Sequence, residues 1–151
     1  MPKKTSKEND SKTKYVVAEK DDFEEVKGYE KTLENVTLES KIKEIPQESF
    51  LGFNKLKGVS LSENCKKIGA SAFYSCTKLE KVDLSSIKNA EAIGTGAFSH
   101  CNSLKSVILP PISNRSQEVR AREIKNKVLE QVGNSVAESI TFTNDPDKIK
   151  K

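Results

Sequence analysis

A twelve-residue pattern occurs three times in this 151-residue chain and constrains its fold more than any other feature. The copies begin at Ile45, Ile68 and Ile93, and each leads into an apolar-polar-apolar triplet. With one further triplet ahead of the first copy, the triplets begin at Val36, Val59, Val82 and Val107, in steps of 23, 23 and 25 residues. A unit of this length cannot bury its apolar side chains alone. The period therefore predicts a solenoid in which each coil packs against its neighbours.

Alternation within each triplet predicts one short strand per coil. In the third triplet, Val82 and Leu84 are expected to point into the core, which leaves Lys81, Asp83 and Ser85 pointing outward. Parallel strands are expected near Val36, Val59, Val82, Val107 and Ile140. Stacked core columns are expected at Ile45/Ile68/Ile93, Phe50/Phe73/Phe98 and Leu56/Leu79/Leu104, and chain turns at Pro46/Gly69/Gly94.

The flanks of the repeats predict caps. Phe23, Val26 and Tyr29 have helical spacing ahead of the first triplet, and Asn114 can cap a helix that ends near Gly133. Residues 137–142 match the pattern of residues 104–109, which predicts a last strand after that helix. The predicted organisation is a disordered Lys-rich tail (1–14), a solenoid with caps (15–143) containing core repeats 36–110, a helix at about 115–132 and a last strand at about 139–143, and a polar tail (144–151).

Two stretches of the sequence resemble the BspA-type leucine-rich repeat. They are IGASAFYSCTKLEKVDLS and IGTGAFSHCNSLKSVILP, which share the signature Ile-Gly, Ala-Phe, Cys, Leu and then a strand. The resemblance covers residues 36–110, and the first copy departs from the signature at Pro46, Ser49 and Phe53. It implies an arc-shaped protein-binding scaffold, often used for adhesion at cell surfaces. We predict an α/β repeat solenoid of leucine-rich-repeat coils, with a helical N-terminal cap and a helix–strand C-terminal cap.

The residues that could carry chemistry fit the repeat better than they fit a catalytic site. Cys76 and Cys101 lie one coil apart in a column expected to be buried, and no Cys-x-x-Cys pair exists to bind zinc. Cys65 falls in a variable loop and is expected to be partly exposed. His100, the only histidine, is expected on the surface, pointing away from Cys101. We therefore expect no enzyme activity, no metal and no cofactor.

Charge and the absence of targeting signals bear on the compartment. The sequence has neither a long apolar run nor the apolar core of a secretory signal, and its three cysteines suit a reducing environment. These features favour the cytoplasm, whereas the family resemblance leaves a cell-surface adhesin as the alternative if the chain is exported. We expect a monomer.

Outward strand residues are the predicted protein-binding surface of this scaffold. They are Asn35, Thr37, Glu39, Ser60, Ser62, Lys81, Asp83, Ser85, Ser106, Ile108, Ser139 and Thr141. An alternative partner is nucleic acid or another anionic surface, because the net charge is +4. That alternative would use the Lys-rich tail and a basic stretch of the predicted C-terminal helix, formed by Arg115, Arg120, Arg122, Lys125 and Lys127.

Overall fold

The computed structural model describes residues 12–148, so most of the predicted N-terminal tail and the last three residues lie outside it. Its strands in chain order are β1 (Lys14–Val17), β2 (Asn35–Leu38), β3 (Glu44–Ile45), β4 (Gly58–Ser60), β5 (Lys67–Ile68), β6 (Lys81–Asp83), β7 (Ser106–Ile108) and β8 (Thr141–Thr143). Six of them form a parallel sheet in the order β1-β2-β4-β6-β7-β8. The predicted parallel solenoid is confirmed.

Helices occupy the two ends of the solenoid. The first coil contains α1 (Asp22–Glu25) and a 3-10 turn, Val26–Tyr29, whose buried Phe23, Val26 and Tyr29 close the N-terminal end of the core. At the other end lie α2 (Arg115–Val132) and α3 (Asn134–Ala137). The Asn114 side chain accepts a hydrogen bond of 2.9 Å from the Gln117 N–H at the start of α2, as its position before the helix predicts. Shorter 3-10 turns span Ala90–Ala92 and Pro146–Lys148.

Each core column is a stack of like side chains from successive coils. The Phe50 and Phe73 rings stack with centroids 5.5 Å apart, and Phe73 stacks on Phe98 at 5.6 Å. All three rings are fully buried, as predicted. The isoleucine column adds a second line of parallel pairing, in which β3 pairs with β5 and Ile68 bridges to Ile93. The coils that contain Ile45, Ile68 and Ile93 are therefore joined to one another at two corners.

The glycines after the isoleucine column allow adjacent coils to pack closely where each chain begins to turn. Neither Gly69 nor Gly94 has a positive φ, so neither needs the left-handed region. A Cβ atom on Gly69 would lie 2.5 Å from the Gln47 backbone nitrogen, and one on Gly94 would overlap the Ala70 backbone. The backbones of adjacent coils therefore approach so closely here that they exclude a side chain. The turn expected after the isoleucine column is present, since the carbonyls of Pro46, Gly69 and Gly94 accept hydrogen bonds from the N–H groups three residues later. Close approach of the backbones adds a reason for glycine at the second and third of these positions.

Two other positions of the repeat do adopt the left-handed backbone conformation. One is occupied by Glu48, Ser71 and Gly96 in successive coils, and the other by Gly52, Ser75 and His100, all with φ between 56° and 77°. Residues other than glycine carry a backbone penalty of about 1–2 kcal/mol in this region. The repeat therefore stores strain wherever these positions hold a side chain.

We expect Ser75→Gly to stabilise the protein by about 0.5–1 kcal/mol, because relief of the backbone penalty exceeds the added entropy of the unfolded chain. No hydrogen bond of the Ser75 hydroxyl is present among the described residues, so none is lost. Urea unfolding measures the change. Ser75→Ala is the control, since alanine keeps the penalty, and equal stabilisation by both variants would contradict the argument.

The structure shifts the predicted boundaries at both ends. Lys14, assigned to the N-terminal tail, begins β1, and the Thr13 carbonyl accepts hydrogen bonds of 2.8 and 3.0 Å from the N–H groups of Glu34 and Asn35. At the other end, residues 144–148 pack on the solenoid, where the Asn144 amide donates to the Leu109 carbonyl at 2.9 Å. The folded region is therefore longer at each end than the repeat pattern predicts.

The last strand pairs two residues out of the predicted register. Phe142, and not Ile140, lies beside Val107. The reason is local: the Ile140 N–H still donates to the Ala137 carbonyl in the turn after α3, so the chain becomes extended only at Thr141. Because the shift is two residues, the inward and outward sides of the strand are unchanged.

Candidate functional site

The outer surface of the six-stranded sheet presents a regular array of side chains that point in one direction. Strand pairing places them in two rows, which together we call the sheet face. The first row is Lys14, Asn35, Gly58, Lys81, Ser106 and Thr141, and the second is Val16, Thr37, Ser60, Asp83, Ile108 and Thr143. Every member is exposed or half-exposed.

Eight of the twelve predicted binding residues lie on the sheet face: Asn35, Thr37, Ser60, Lys81, Asp83, Ser106, Ile108 and Thr141. The other four lie outside the strands. Glu39, Ser62 and Ser85 follow strand ends, and the Ser62 hydroxyl donates to the Ile42 carbonyl at 3.0 Å. Ser139 precedes β8, where its hydroxyl donates to the Val136 carbonyl at 2.9 Å. These hydroxyl contacts hold turns, so Ser62 and Ser139 are not part of the sheet face.

The sequence prediction omitted four members of the sheet face, namely Lys14, Val16, Gly58 and Thr143. Gly58 follows Asn35 by the repeat step of 23 residues and could have been found from the period. Tyr15 and Val17, buried on either side of the exposed Val16, carry the alternation of a strand, but the sequence prediction placed them in a cap without assigning a strand there, and it placed Lys14 in the tail. Thr143 was missed because of the two-residue register shift in β8.

Gly58 creates a depression in the sheet face. A Cβ atom at this position would lie 3.1 Å from the Asn35 side-chain oxygen, so even alanine would begin to fill the gap. The hollow around it measures about 440 Å³ and carries both charge signs on its rim, from Lys57, Lys81, Glu80 and Asp83. A second hollow of about 290 Å³ adjoins it over β1 and β2 and is bordered by Lys12 and Lys14. The sheet face is therefore concave and charge-balanced around Gly58, and cationic only in the adjoining hollow beside Lys12 and Lys14.

A glutamine from α2 replaces the missing next coil at the C-terminal end. In the coil before, the Phe73 N–H donates to the Ala97 carbonyl at 2.9 Å. The equivalent Phe98 N–H donates to the Gln131 side-chain oxygen at 2.8 Å, and the Gln131 amide donates to the Gly94 carbonyl at 3.0 Å. The helix thus satisfies the Phe98 N–H and gives the Gly94 carbonyl a second donor beside the Ala97 N–H. No feature of the repeat pattern points to Gln131.

Much of the basic character of α2 is neutralised within the protein. The Lys125 ammonium lies 2.9 Å from Asp145 and 2.8 Å from Asp147, and Arg122 lies 3.0 Å from Asp147. Hydrogen bonds from Lys125 and then Arg122 lower the pKa of Asp147 below its usual range. Arg115 is 3.8 Å from Glu118. Of the basic stretch predicted to bind nucleic acid, only Arg120 and Lys127 have no ion-pair partner among residues 12–148.

The thiols are structural groups. Cys76 and Cys101 are buried and donate to the carbonyls of Phe50 and Phe73 in the preceding coil, at 3.1 and 3.2 Å. Burial raises the pKa of the Cys101 thiol to about 12 and that of Cys65 to about 11, so both stay protonated at neutral pH. Cys65 is fully buried and not partly exposed, because it continues a buried column between Ile42 and Ile87. His100 is exposed and contacts the Tyr74 ring edge-on.

Two negative findings apply to residues 12–148. No group of three or more histidine, cysteine or acidic side chains there is arranged to hold a metal ion. None of the helices in that range combines the length and apolar character needed to span a bilayer.

Comparisons with known proteins bear on the repeat. No curated protein matches the chain. Among solved structures, the leucine-rich repeat protein of T. pallidum aligns at 32% identity and a TM-score of 0.49, over 64% of this chain and 42% of that one. A leucine-rich cell surface protein of Faecalibacterium prausnitzii aligns at 21% identity and a TM-score of 0.48, over 66% of this chain and 30% of that one. This chain thus spans less than half the length of either protein.

The family match covers most of the chain. Residues 27–151 match the family described as BspA type leucine-rich repeat region, in 6 copies. Both the stacked Ile, Phe, Cys and Leu columns and the parallel strands described above fit that description. The chain belongs to the BspA-type leucine-rich repeat family.

Proposed function

We propose that this protein is a non-catalytic scaffold that binds a protein partner through the sheet face. The observation that carries the proposal is the exposed, concave surface around Gly58, where six parallel strands present side chains that no other described element covers. A solenoid sheet of this kind offers a long rigid surface, so its backbone loses little conformational entropy when a partner binds. Membership of the BspA-type family supports a role in protein interaction.

Charge favours a protein over nucleic acid as the partner on this face. Lys57 and Lys81 stand beside Glu80 and Asp83 around the central hollow, so the rim is charge-balanced there. A phosphate backbone would meet repulsion from these carboxylates, whereas a protein surface with both charge signs could pair with them. The half-exposed Ile108 adds apolar contact area at the same hollow.

A double variant, Ser60→Arg with Lys81→Glu, should abolish capture of a partner that binds the sheet face. The arginine fills the hollow beside Gly58 and the glutamate reverses its rim charge, while both side chains point away from the core. Asp83 is left intact because its carboxylate accepts a 2.9 Å hydrogen bond from the Ser85 N–H. We expect stability to change by no more than about 0.5 kcal/mol.

The measurement is affinity capture from the source cell with and without nuclease, followed by quantification of the proteins retained. Lys78→Glu is the matched control, since it makes the same charge reversal in the same coil outside the sheet. A partner lost with the double variant and retained with Lys78→Glu supports the proposal. Equal retention by both variants, or loss of all binding on nuclease treatment, would refute it.

A further inference from the structure

A row of lysines runs along the edge of the solenoid where the strands end. Lys43, Lys66 and Lys88 each follow a member of the buried column Ile42/Cys65/Ile87, one per coil, and we call them the lysine ladder. The Lys66 N–H donates to the Lys43 carbonyl at 2.9 Å, which places these coils side by side. Adjacent coils are therefore separated by about 5 Å, the spacing of neighbouring strands. All three side chains are exposed.

The ladder borders two hollows on the same edge. One, of about 340 Å³, lies next to Lys43 and is also bordered by Lys20 and Lys41, with Ile42 and Pro46 in its lining. The other, of about 440 Å³, contains Lys66 and Lys88 together with Arg120 of α2. This second hollow exists because the chain leaves the repeat at Pro110 and turns into α2. Its apolar lining consists of Ile87, Pro110 and Pro111.

The charge on this edge is not balanced within the protein. The two hollows are bordered by six cations, Lys20, Lys41, Lys43, Lys66, Lys88 and Arg120, but only by two carboxylates, Glu44 and Glu63. Within residues 12–148, no carboxylate lies within ion-pair distance of any of the six. Arg122 and Lys125 of α2, by contrast, form ion pairs with Asp145 and Asp147. An exposed surplus of positive charge beside two hollows on one edge attracts an anionic chain.

We propose that the lysine ladder and Arg120 form a second binding surface, separate from the sheet face, which holds an extended acidic segment of a protein. Alternate side chains of an extended peptide recur at about 7 Å, so its carboxylates reach successive lysines through the flexible lysine stems. The proline and isoleucine lining then contacts the apolar side chains between them. Nucleic acid fits less well, because Phe23 is the only aromatic residue that lines either hollow and it is buried, so no base can stack there.

Charge reversal on the ladder tests the proposal. Fluorescence anisotropy of labelled deca-glutamate would be measured with the wild-type chain and with Lys66→Glu/Lys88→Glu, at low and at physiological ionic strength. The matched control is Lys55→Glu/Lys78→Glu, which reverses two exposed lysines one coil apart, before the strands rather than after them. We expect the ladder variant to lose at least about tenfold in affinity and the control to stay within about twofold. Thermal melting verifies that both variants fold.

Three outcomes would overturn the proposal. The first is no binding of deca-glutamate by the wild-type chain at low ionic strength. The second is an equal loss with both pairs of substitutions, which would show attraction to net charge alone. The third is tighter binding of a labelled deca-thymidylate than of deca-glutamate with the same dependence on Lys66 and Lys88, which would assign the surface to nucleic acid. Deca-glutamate binding that is unaffected by the Ser60→Arg/Lys81→Glu variant would separate this surface from the sheet face.

Discussion

Replacement of Phe73 by alanine is expected to lower the free energy of unfolding by about 3–5 kcal/mol. The ring is fully buried and stacks on Phe50 and on Phe98, with centroids 5.5 and 5.6 Å away. Alanine would leave a cavity between two coils that cannot close without breaking the backbone hydrogen bonds on either side. In a solenoid each coil is stabilised by its neighbours. Loss at the central coil therefore weakens both halves, and urea unfolding should show it as a large drop in midpoint.

The adjacent residue provides the control. Tyr74 is also aromatic, but 36% of its surface is exposed and its ring contacts only His100 among the described aromatic side chains. We expect Tyr74→Ala to cost less than about 1 kcal/mol. Phe98→Ala should resemble Phe73→Ala, because Phe98 is equally buried in the same column. Equal destabilisation by the Phe73 and Tyr74 substitutions would contradict the assignment of the column.

The interior of the solenoid was predictable because every coil buries the same kinds of side chain at the same positions of the repeat. Each coil must place an isoleucine, a phenylalanine and a leucine over those of the coil before, so the columns can be read from spacing alone. Strand alternation then identifies which residues face outward, which correctly places Asn35, Thr37 and Lys81 on the sheet face. The same reasoning identifies no partner, because the pattern records what packs inside and not what binds outside.

Both ends of the solenoid were harder to predict, because a terminal coil has a neighbouring coil on one side only. Its open face needs capping groups that the repeat does not contain. Gln131 supplies such a group. Its side-chain oxygen accepts a hydrogen bond from the Phe98 N–H, 33 residues earlier in the chain. The ion pairs of Lys125 with Asp145 and Asp147 then fix α2 to the end of the chain. Contacts of this kind depend on where the helix crosses the core. They do not recur along the chain, so no repeated spacing in the sequence predicts them.

The lysine ladder is visible in the sequence as a repeated spacing, but that spacing alone does not identify a binding surface. Lys43, Lys66 and Lys88 sit 23 and 22 residues apart, close to the repeat step. Lysines one step apart also occur at Lys55 and Lys78, before the strands. Only the hollows beside the ladder and the arrival of Arg120 from α2 distinguish the first set from the second.

Substitution of Gly94 by alanine is expected to destabilise the protein by about 1–3 kcal/mol, with a larger loss if the coils cannot separate. An added Cβ would overlap the Ala70 backbone, and a backbone segment cannot move aside as a side chain can. The coils that contain Ile68 and Ile93 would have to separate at this corner. That movement would strain the 2.8 Å hydrogen bond from the Gly94 N–H to the Ile68 carbonyl and the bridge between Ile68 and Ile93. Thermal or urea unfolding measures the cost.

The same experiment separates two explanations for the recurrence of glycine at positions 69 and 94. If Gly69 and Gly94 were needed only as turn formers, alanine would cost little, because neither residue has a positive φ. If they are needed for close approach, both alanine variants should be destabilised, since Gly69 meets the Gln47 backbone as Gly94 meets that of Ala70. Gly28→Ala is the control: a Cβ there meets nothing within 4 Å, so the substitution should be neutral or slightly stabilising. A Gly94→Ala protein that unfolds at the wild-type midpoint would show that the coils tolerate a wider separation than the structure indicates.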